Sequence, residues 1–410
     1  MVIKSKLGFG YQKKAKYAAD PTKSLGRMYV EPKSMTRSEF QRDRDRIIHT
    51  TAFRRLKDKT QVFFKRQRDH YRTRLMHTIE VSQIARSLSR ALRIDEDLAE
   101  AIALAHDFGH PPFGHIGESI LHDLLSSYGG FEHNMQSFRI VTELEHSYAD
   151  FNGINLTWET LEGLLGHNGP FPKKDFVRNG LIPKMFYDNY HIHGLSLENF
   201  SSLESQVAAI ADDIAYDAHD IDDSVRSGIL TFDMMEEVSF LKDNIELLHN
   251  LYADLDEKRL VHELVRRQIT AMVEDVITVS QKRIASLKPN SINDIRSASF
   301  QIVDFSEEMA IVDKEIKSML LKYVYRHPSI IDCRNQIDSV IRNLFSAYMS
   351  DPYKMRGYDK LEFKQDVDDM IKVRRIADYL VGMTDGYAIY EHNILFGYIP
   401  DFAVEYYNFH

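Results

Sequence analysis

The chain has 410 residues, 43% hydrophobic and 28% charged, so it can bury a large core and does not have the composition of a disordered protein. Its net charge of −9 argues against a surface that coats nucleic acid or acidic lipid, and its single cysteine excludes a disulfide framework or a cysteine-built metal site. Gly and Pro are few, at 19 and 11 residues, which favours long helices. We therefore predict an all-α protein whose metal ligands, if it has any, are His and carboxylate side chains.

The sequence contains no segment typical of a membrane protein. No run of about 18 apolar residues occurs, and the positively charged N-terminus has no apolar stretch behind it. These features predict a cytoplasmic protein that does not associate with a membrane.

The N-terminal part of the chain is basic. Residues 1–41 carry nine Lys or Arg against three acidic residues and show no sustained apolar period, which predicts an irregular basic arm. Residues 42–74 carry twelve Lys or Arg against four Asp, a charge of +8 within a protein of −9. By itself this charge indicates either a solvated helix face or a local site for an anion.

Two predicted amphipathic helices follow, and a rigid loop separates the second of them from the next helix. Apolar spacings of three, four and seven predict a helix over 72–92 that carries His77 on its buried stripe. A second helix, over about 97–107, ends at His106 and Asp107. The segment FGHPPFGH that comes next contains two Gly and two Pro and cannot continue a helix.

The rest of the chain also has helical patterns. A Gly-, Pro- and aromatic-rich stretch at about 169–200 predicts an insertion. In the helix predicted over 203–223, Asp212, Tyr216 and Asp220 fall on one face. The other helices are predicted from near Ile116 and around 133–146, 233–250, 255–286, 304–325, 332–348 and 362–393.

His106 and Asp107 stand out by their context rather than as a dipeptide, because His-Asp also occurs at 122 and 219. They close an apolar helix and enter the Gly/Pro loop, and Asp107 is costly to bury without a cation or hydrogen-bond partners. Two stripe histidines, this aspartate and a later aspartate on a helix would give one divalent ion four N/O ligands.

Several long motifs occur in a characteristic order. They are RDRDRIIHTTAFRRLKDKTQVF, RTRLMHTIEVSQIAR, AIALAHDFGHPPFGHIGE, GGFEHN, LTWETLEGLLGHNGP and ADDIAYDAHDIDD, with RRIADYLVGMTDGYAIYEHNILFG near the C-terminus. This set resembles the deoxyguanosinetriphosphate triphosphohydrolase family of HD-domain phosphohydrolases. The resemblance implies an HD-domain helical core over 42–228 and a C-terminal helical lobe over 229–410, packed on the core. Gly386 departs from the family pattern, in which Arg is common at that position.

The resemblance also implies a metal site made of His77, His106, Asp107 and Asp212. Asp213 is a close rival to Asp212, which we prefer because it shares a helix face with Tyr216. The ion would be Mn, Mg, Co, Fe, Ni or Zn, all suited to N/O ligands.

The implied reaction is hydrolysis of dGTP or several dNTPs at the α-phosphorus, which releases a deoxynucleoside and triphosphate. His115 and Glu118 resemble the family's catalytic pair, with His115 acting either as a base on water or as an acid on the leaving oxygen. His133 belongs to the same catalytic group, and His110 and His133 are expected to touch phosphates.

Contacts with the rest of the substrate are implied as well. Arg74, with Arg54 and Arg55 behind it, would bind phosphates, for which an Arg fork is suited. Gln61 would lie against the sugar, where close packing excludes a 2′-hydroxyl. Tyr216 would support the deoxyribose and Asp220 would accept from its 3′-hydroxyl.

Two alternatives stay open. One is another HD-type nucleotide phosphohydrolase, such as a nucleotidase or an alarmone hydrolase, and the other is a catalytically silent sensor of dNTP or single-stranded DNA. The resemblance further implies a homo-oligomer, often a hexamer among relatives, and regulation by a dNTP or single-stranded DNA.

Overall fold

The computed structural model describes residues 13–61, 71–170, 197–252, 254–357 and 368–404. These residues form helices and short helical turns without a strand, and the only strand-like pairing among them is three isolated bridges. The predicted all-α fold is confirmed. The α-helices of the described residues are α1 Glu39–Ile48, α2 Thr51–Arg55, α3 Arg74–Leu92, α4 Glu96–Ala105, α5 Gly114–Leu124, α6 His133–Arg139, α7 Trp158–Leu165, α8 Leu203–Arg226, α9 Phe232–Met235, α10 Ser239–Leu251, α11 Glu257–Leu287, α12 Ile292–Arg296, α13 Glu307–Leu320, α14 Pro328–Ser350, α15 Asp369–Val381 and α16 Asp385–Phe396.

Three helices at the centre of the molecule carry the residues of interest. α3 packs against α4, and α8 packs against both. The apolar stripe of each helix supplies the contact, with Leu88 of α3, Leu98 of α4 and Val207 of α8 fully buried. The spacing of apolar residues therefore predicted both the helices and the faces that they bury.

The hydrophobic core crosses the predicted domain boundaries. One continuous cluster of buried apolar side chains extends from Ala18 to Ala403, and a second cluster joins the end of α8 to α10, α11 and α13. The boundaries at 41/42 and 228/229 stay predictions. Most of the predicted insertion at about 169–200 lies outside the described residues.

From residue 13 onward the predicted N-terminal arm is irregular but lies on the helical core. The Ala19 amide donates to Glu204 Oε1 at 2.9 Å, and the Leu25 amide donates to Glu159 Oε1 at 2.7 Å. Arg27 is buried, where its guanidinium pairs with Asp43 at 2.5 Å. Hydrogen bonds from the core thus hold a segment that has little helical structure of its own.

The single helix predicted over 362–393 is wrong within the described residues. α15 ends at Val381, and α16 begins only at Asp385. Thr384 caps α16, with its hydroxyl accepting from the Tyr387 amide. The Asp385 side chain is occupied elsewhere, since it accepts from the backbone amides of Thr60 and Phe113 at 2.8 Å each.

No described helix combines the length and the apolar character that a membrane crossing requires.

Candidate active site

The Gly/Pro loop after α4 turns the chain sharply and lets other elements approach. A 3₁₀ turn, His106–Gly109, follows α4, and Phe113 adopts a left-handed backbone with φ of 66° before α5 begins. A Cβ on Gly109 would lie 2.0 Å from the His133 carbonyl oxygen, so only glycine lets α6 come this close. A Cβ on Gly114, where φ is also positive, would lie 3.1 Å from Arg74 Nη2.

The structure brings the four predicted metal ligands together. His77 Nε2 lies 2.8 Å from Asp212 Oδ1, and His106 Nε2 lies 3.4 Å from Asp107 Oδ1 and 3.5 Å from Asp212 Oδ1. Ligand atoms of His77, His106 and Asp107 all lie within 4.8 Å of one another. We call these four residues the metal cluster.

The metal cluster has the chemistry of a cation site. His106 Nδ1 lies 2.7 Å from the Ala103 carbonyl, which can only accept, so Nδ1 carries a proton and Nε2 is the atom that would offer a lone pair to a metal ion on losing its own proton. His106 Nε2 is buried and has no hydrogen-bond partner. Burial disfavours a charge on His106, yet the charges of Asp107 and Asp212 outweigh it and raise the pKa of this imidazole to about 9. Converging carboxylates and an orphaned ring nitrogen therefore fit a divalent metal ion.

His77 has a second histidine behind it. Its Nδ1 lies 3.1 Å from His219 Nδ1, and His219 Nε2 lies 2.5 Å from Glu80 Oε2. Burial lowers the pKa of His219 to about 4, and His77 adds to this through its positive charge when it is protonated. The His219 ring is therefore neutral near pH 7.

Asp213 points away from the metal cluster. Its carboxylate lies 2.8 Å from the Lys317 ammonium, which also pairs with Asp313 at 2.8 Å. Asp212, in contrast, lies beside His77, His106 and, at 3.6 Å, His167.

A second group of titratable side chains adjoins the first. We call His110, His115, Glu118 and His133 the proton-transfer cluster, after the role that the resemblance implies for His115 and Glu118. Glu118 Oε1 lies 2.7 Å from His133 Nδ1, and Glu118 Oε2 lies 3.2 Å from His115 Nδ1. His110 stacks on His133 with ring centroids 3.9 Å apart, and its Nε2 lies 3.1 Å from Asp107 Oδ1. The shared Asp107 thus joins the two clusters.

Charges within the proton-transfer cluster compensate one another. Burial opposes ionisation of Glu118, but hydrogen bonds from His115 and His133 lower the pKa of this carboxyl far below its usual range. Burial also disfavours a charge on His133, yet the hydrogen bond to Glu118 raises the pKa of this imidazole. Burial and the positive charge of Arg74 keep the pKa of His110 well below its usual value. His115 differs in access, since 51% of its side chain is exposed.

Arg74 lies at the junction of the two clusters. Its Nη1 donates to Asp107 Oδ2 at 2.7 Å, and only 1% of its side chain is exposed. Its Nε and Nη2 are buried without a hydrogen-bond partner. Two guanidinium nitrogens without a partner, next to a cation site, suit an anionic ligand that binds to both the guanidinium group and the cation.

The three predicted sugar contacts lie beside one cavity or support its wall. A cavity of about 360 Å³ is lined by Gln61, Phe113, His115, Ile116, Ser119, Tyr216, Tyr325, Ile330 and Arg334. The Tyr216 hydroxyl lies 2.7 Å from the Tyr325 hydroxyl, and Tyr325 donates to Asp220. Gln61 Oε1 and Asp220 Oδ1 are buried without a partner. Burial, together with the charge of Asp223, raises the pKa of Asp220 to about 7.

The structure does not bring Arg54 and Arg55 into either cluster. Arg54 is exposed and donates to the His49 carbonyl and to Thr51 Oγ1, both at 3.1 Å. Arg55 lines a different cavity, of about 500 Å³, together with Glu145 and Tyr379 among others.

Other described members of the basic segment are neutralised by carboxylates. Arg44 pairs with Asp97 at 2.8 Å, Arg46 with Glu31 at 2.8 Å, and Arg72 with Asp222 at 2.6 Å. Much of the local charge of +8 therefore holds the fold together rather than facing an anion.

Sequence reasoning missed several side chains around the clusters. His167 stacks on His106 with centroids 5.3 Å apart, although its motif GHNG had been noted. Glu80, three residues after His77, gave a helical signal that went unused. His219 begins one of the two other His-Asp pairs, which carry no signal as dipeptides, and Tyr325 lies outside the motifs that carry the resemblance.

Comparisons with known proteins agree with this geometry. The HD domain model matches residues 74–217, and the phosphohydrolase-associated domain model matches residues 303–394. Relatives named "Deoxyguanosinetriphosphate triphosphohydrolase-like protein" align over nearly the whole chain. The protein of Rhizobium johnstonii is 56% identical over 396 residues, which is 96% of this chain and 98% of the relative. The protein of Rhizobium meliloti is 53% identical over 401 residues, 98% of this chain and 99% of the relative. That of Brucella anthropi is 53% identical over 398 residues, 97% and 99% respectively.

The matches and the site support a metal-dependent nucleotide phosphohydrolase, with a buried His/Asp cluster for a divalent ion. The chain is a hydrolase and belongs to the family of deoxyguanosinetriphosphate triphosphohydrolase-like proteins.

Proposed function

We propose that this protein hydrolyses dGTP or several dNTPs at the α-phosphorus, releasing a deoxynucleoside and intact triphosphate. One observation carries the proposal. The half-exposed His115 lines a cavity with Gln61 and Tyr216, while its partner Glu118 belongs to a cluster that shares Asp107 with the cation site. A phosphate next to the cation would thus have a proton-transfer group on one side and room for a nucleoside on the other.

Anion binding is assigned to the junction of the clusters. His77, His106, Asp107 and Asp212 would hold the metal, which supplies Lewis acidity toward phosphate oxygens. The free Nε and Nη2 of Arg74 would donate to the same anion, because Asp107 occupies only Nη1. The N/O ligand set is compatible with Mn, Mg, Co, Fe, Ni or Zn.

Proton transfer is assigned to His115. With Nδ1 bonded to Glu118, His115 presents Nε2 as the atom that can take or give a proton. The partner carboxylate orients the ring and stabilises its protonated form. His133 bonds the other oxygen of Glu118 and stacks on His110, so these two rings support the pair and face the phosphate side.

Recognition of the deoxyribose is assigned to Gln61, Tyr216 and Asp220. The unpartnered oxygens of Gln61 and Asp220 are acceptors that a sugar hydroxyl would satisfy. Tyr325 fixes Asp220 and Tyr216 through its hydroxyl. The close packing at Gln61, which is 4% exposed, supports a preference for a sugar without a 2′-hydroxyl.

Phosphorus NMR of the reaction products tests the proposal. The full-length protein is incubated with each dNTP, and with GTP as the ribose control, in the presence of Mn²⁺, Mg²⁺, Co²⁺, Ni²⁺, Zn²⁺ or, without oxygen, Fe²⁺. Triphosphate is expected as the first product from at least one dNTP and not from GTP. Pyrophosphate or orthophosphate as the first product would indicate a different HD phosphohydrolase, and dNTP binding without turnover under any metal would indicate a sensor.

The assembly and regulation implied by the family are part of the same proposal. Exposed apolar side chains on the neighbouring helices α15 and α16, including Met370, Ile371, Tyr390 and Ile394, support a surface that a second copy covers. Light scattering of the purified protein measures the oligomer. Turnover of dNTP mixtures, and of single dNTPs with added single-stranded DNA, detects activation.

A further inference from the structure

We infer that Glu80 and His219 form a hydrogen-bonded relay that fixes the ring and the tautomer of His77 and thereby sets the affinity of the metal cluster for its divalent ion. The inference rests on the metal site of the proposed function, but it concerns metal retention and does not depend on which nucleotide is hydrolysed. Both residues act through His77 and are positioning residues.

The first step of the relay runs from Glu80 to His219. A carboxylate only accepts hydrogen bonds, so the 2.5 Å contact between Glu80 Oε2 and His219 Nε2 requires the proton on Nε2. That hydrogen bond leaves Nδ1 as the His219 ring atom that faces His77. Arg72 holds Glu80 in place, since its Nε donates to the same Oε2 at 3.0 Å.

The second step runs from His219 to His77. The two Nδ1 atoms are 3.1 Å apart, so one ring donates and the other accepts, and a His77 ring that offers Nε2 to a metal ion carries its proton on Nδ1 and is the donor. The His77 proton is thus fixed on Nδ1, and the Nε2 lone pair faces Asp212 Oδ1 at 2.8 Å. Two acceptor atoms this close repel each other unless a proton or a metal ion lies between them, so a bound metal ion would take the place of the shared proton.

The relay also ties together the two helices that carry His77 and Asp212. Glu80 lies one turn beyond His77 on α3, and His219 lies two turns beyond Asp212 on α8. The other metal histidine, His106, has its tautomer fixed by a backbone carbonyl, which substitution cannot remove. Of the two metal histidines, His77 is therefore the one whose outer partner is a side chain that can be mutated.

Binding of Mn²⁺ alone tests the relay without any substrate. The dissociation constant of the full-length protein is measured from the electron paramagnetic resonance signal of free Mn²⁺. His219→Phe and Glu80→Gln should each weaken Mn²⁺ binding by about 10- to 100-fold, the usual range for losing an outer-shell partner of a metal ligand. His262→Phe, an exposed histidine on α11, and Gln83→Ala, an exposed residue of α3, should bind Mn²⁺ like the wild type.

A double variant distinguishes a relay from two independent structural effects. If Glu80 acts only through His219, then Glu80→Gln adds no further loss of Mn²⁺ affinity in the His219→Phe background. Losses that multiply would overturn the relay. So would wild-type Mn²⁺ affinity in both single variants, or a loss accompanied by unfolding of the metal-free Glu80→Gln protein in circular dichroism.

The outcomes also separate the relay from the proposed reaction. A wild-type protein that binds Mn²⁺ but produces no triphosphate contradicts the proposed function and leaves the relay intact. A wild-type protein that makes triphosphate while both relay variants keep full Mn²⁺ affinity contradicts the relay alone. Absence of Mn²⁺ binding by the wild type overturns the relay.

Discussion

The metal cluster and the proton-transfer cluster meet where Asp107 contacts His110, and both consist of His and carboxylate side chains, yet their histidines direct their hydrogen bonds differently. In the metal cluster, His106 turns its proton outward to the Ala103 carbonyl, which leaves an inward lone pair. In the proton-transfer cluster, His115 and His133 both turn a ring nitrogen inward, to Glu118. Outer partners therefore decide whether a histidine offers a lone pair to a cation or a proton to a neighbour.

The two clusters also differ in how their charges are balanced. In the metal cluster, the carboxylates of Asp107 and Asp212 converge on His106, and together they attract a positive charge. The proton-transfer cluster already contains its counter-charge, since Glu118 lies between two imidazoles. A metal ion is thus expected to enter the first cluster and to leave the second available for acid–base chemistry.

The largest effect is expected from removing the aspartate of the metal cluster. Asp212→Ala should abolish bound Mn²⁺ and lower turnover by more than the roughly 10- to 100-fold typical of an outer-shell change, because a direct ligand is lost. Asp213→Ala is the matched control, since its carboxylate pairs with Lys317 instead. Metal content after dialysis and dNTP turnover check both variants. Retained metal in Asp212→Ala with loss in Asp213→Ala would reverse the assignment.

The next prediction tests whether the proton-transfer cluster transfers protons rather than binding the metal ion. His115→Gln should lower kcat by about 10²- to 10⁴-fold, the usual contribution of a positioned acid or base. Its Mn²⁺ content should equal that of the wild type, because His115 lies outside the metal cluster. His122→Gln, an exposed histidine of the same helix, serves as the control. If His115→Gln loses its metal together with its activity, the division into two clusters fails.

A smaller effect on kcat/KM is expected from a substitution of Arg74, which lies between the two clusters. Arg74→Lys keeps the charge but loses the planar fork, and hydrogen bonds to charged groups contribute about 1.5–3 kcal/mol, so kcat/KM for the dNTP should fall by roughly 10- to 100-fold. Arg54→Lys should leave kcat/KM within about twofold, since that exposed guanidinium contacts its own helix and the preceding turn. Equal losses of kcat/KM in Arg74→Lys and Arg54→Lys would indicate that Arg54 also contacts the phosphates.

Helical spacing predicted much of this site. The stripe that includes His77 and the face shared by Asp212, Tyr216 and Asp220 follow from a period of 3.6 residues, and the end of α4 just before His106 follows from the Gly/Pro loop. The resemblance to relatives indicated which of these helices come together at the site. Within-helix periodicity is a local property, so it identifies faces without saying which faces meet.

The residues that escaped prediction depend on how helices are rotated against each other. Glu80 and His219 meet only because α3 and α8 cross at this point. Arg55 directly precedes the turn that leads toward Gln61, yet it lines the separate cavity near Tyr379. A count of basic residues gives the charge of a segment but not the direction of each side chain. Arg72, for example, pairs with Asp222 within the protein and so does not face an anionic ligand.

The smallest effect concerns stability and its dependence on pH. The pKa of Glu118 is lowered in the folded protein, so its stabilising contribution is present above the ordinary glutamate pKa and disappears as the pH falls through the lowered value. The pKa of His133 is raised, so its contribution is present below the ordinary histidine pKa and disappears as the pH rises through the raised value. Both contributions are complete between about pH 4.5 and 6.5.

Glu118→Gln should therefore lower the melting temperature most within that pH window, by the equivalent of about 1.5–3 kcal/mol for hydrogen bonds to charged groups, and by less at pH 9. Thermal unfolding of the metal-free protein at pH 5.5 and pH 9 measures the difference. Glu263→Gln, which breaks an exposed pair with Arg266, should change the melting temperature little at either pH, because solvent screens surface ion pairs. A loss in Glu118→Gln that is equal at both pH values would mean that Glu118 contributes by packing alone, and the internal charge balance of the proton-transfer cluster would then be wrong.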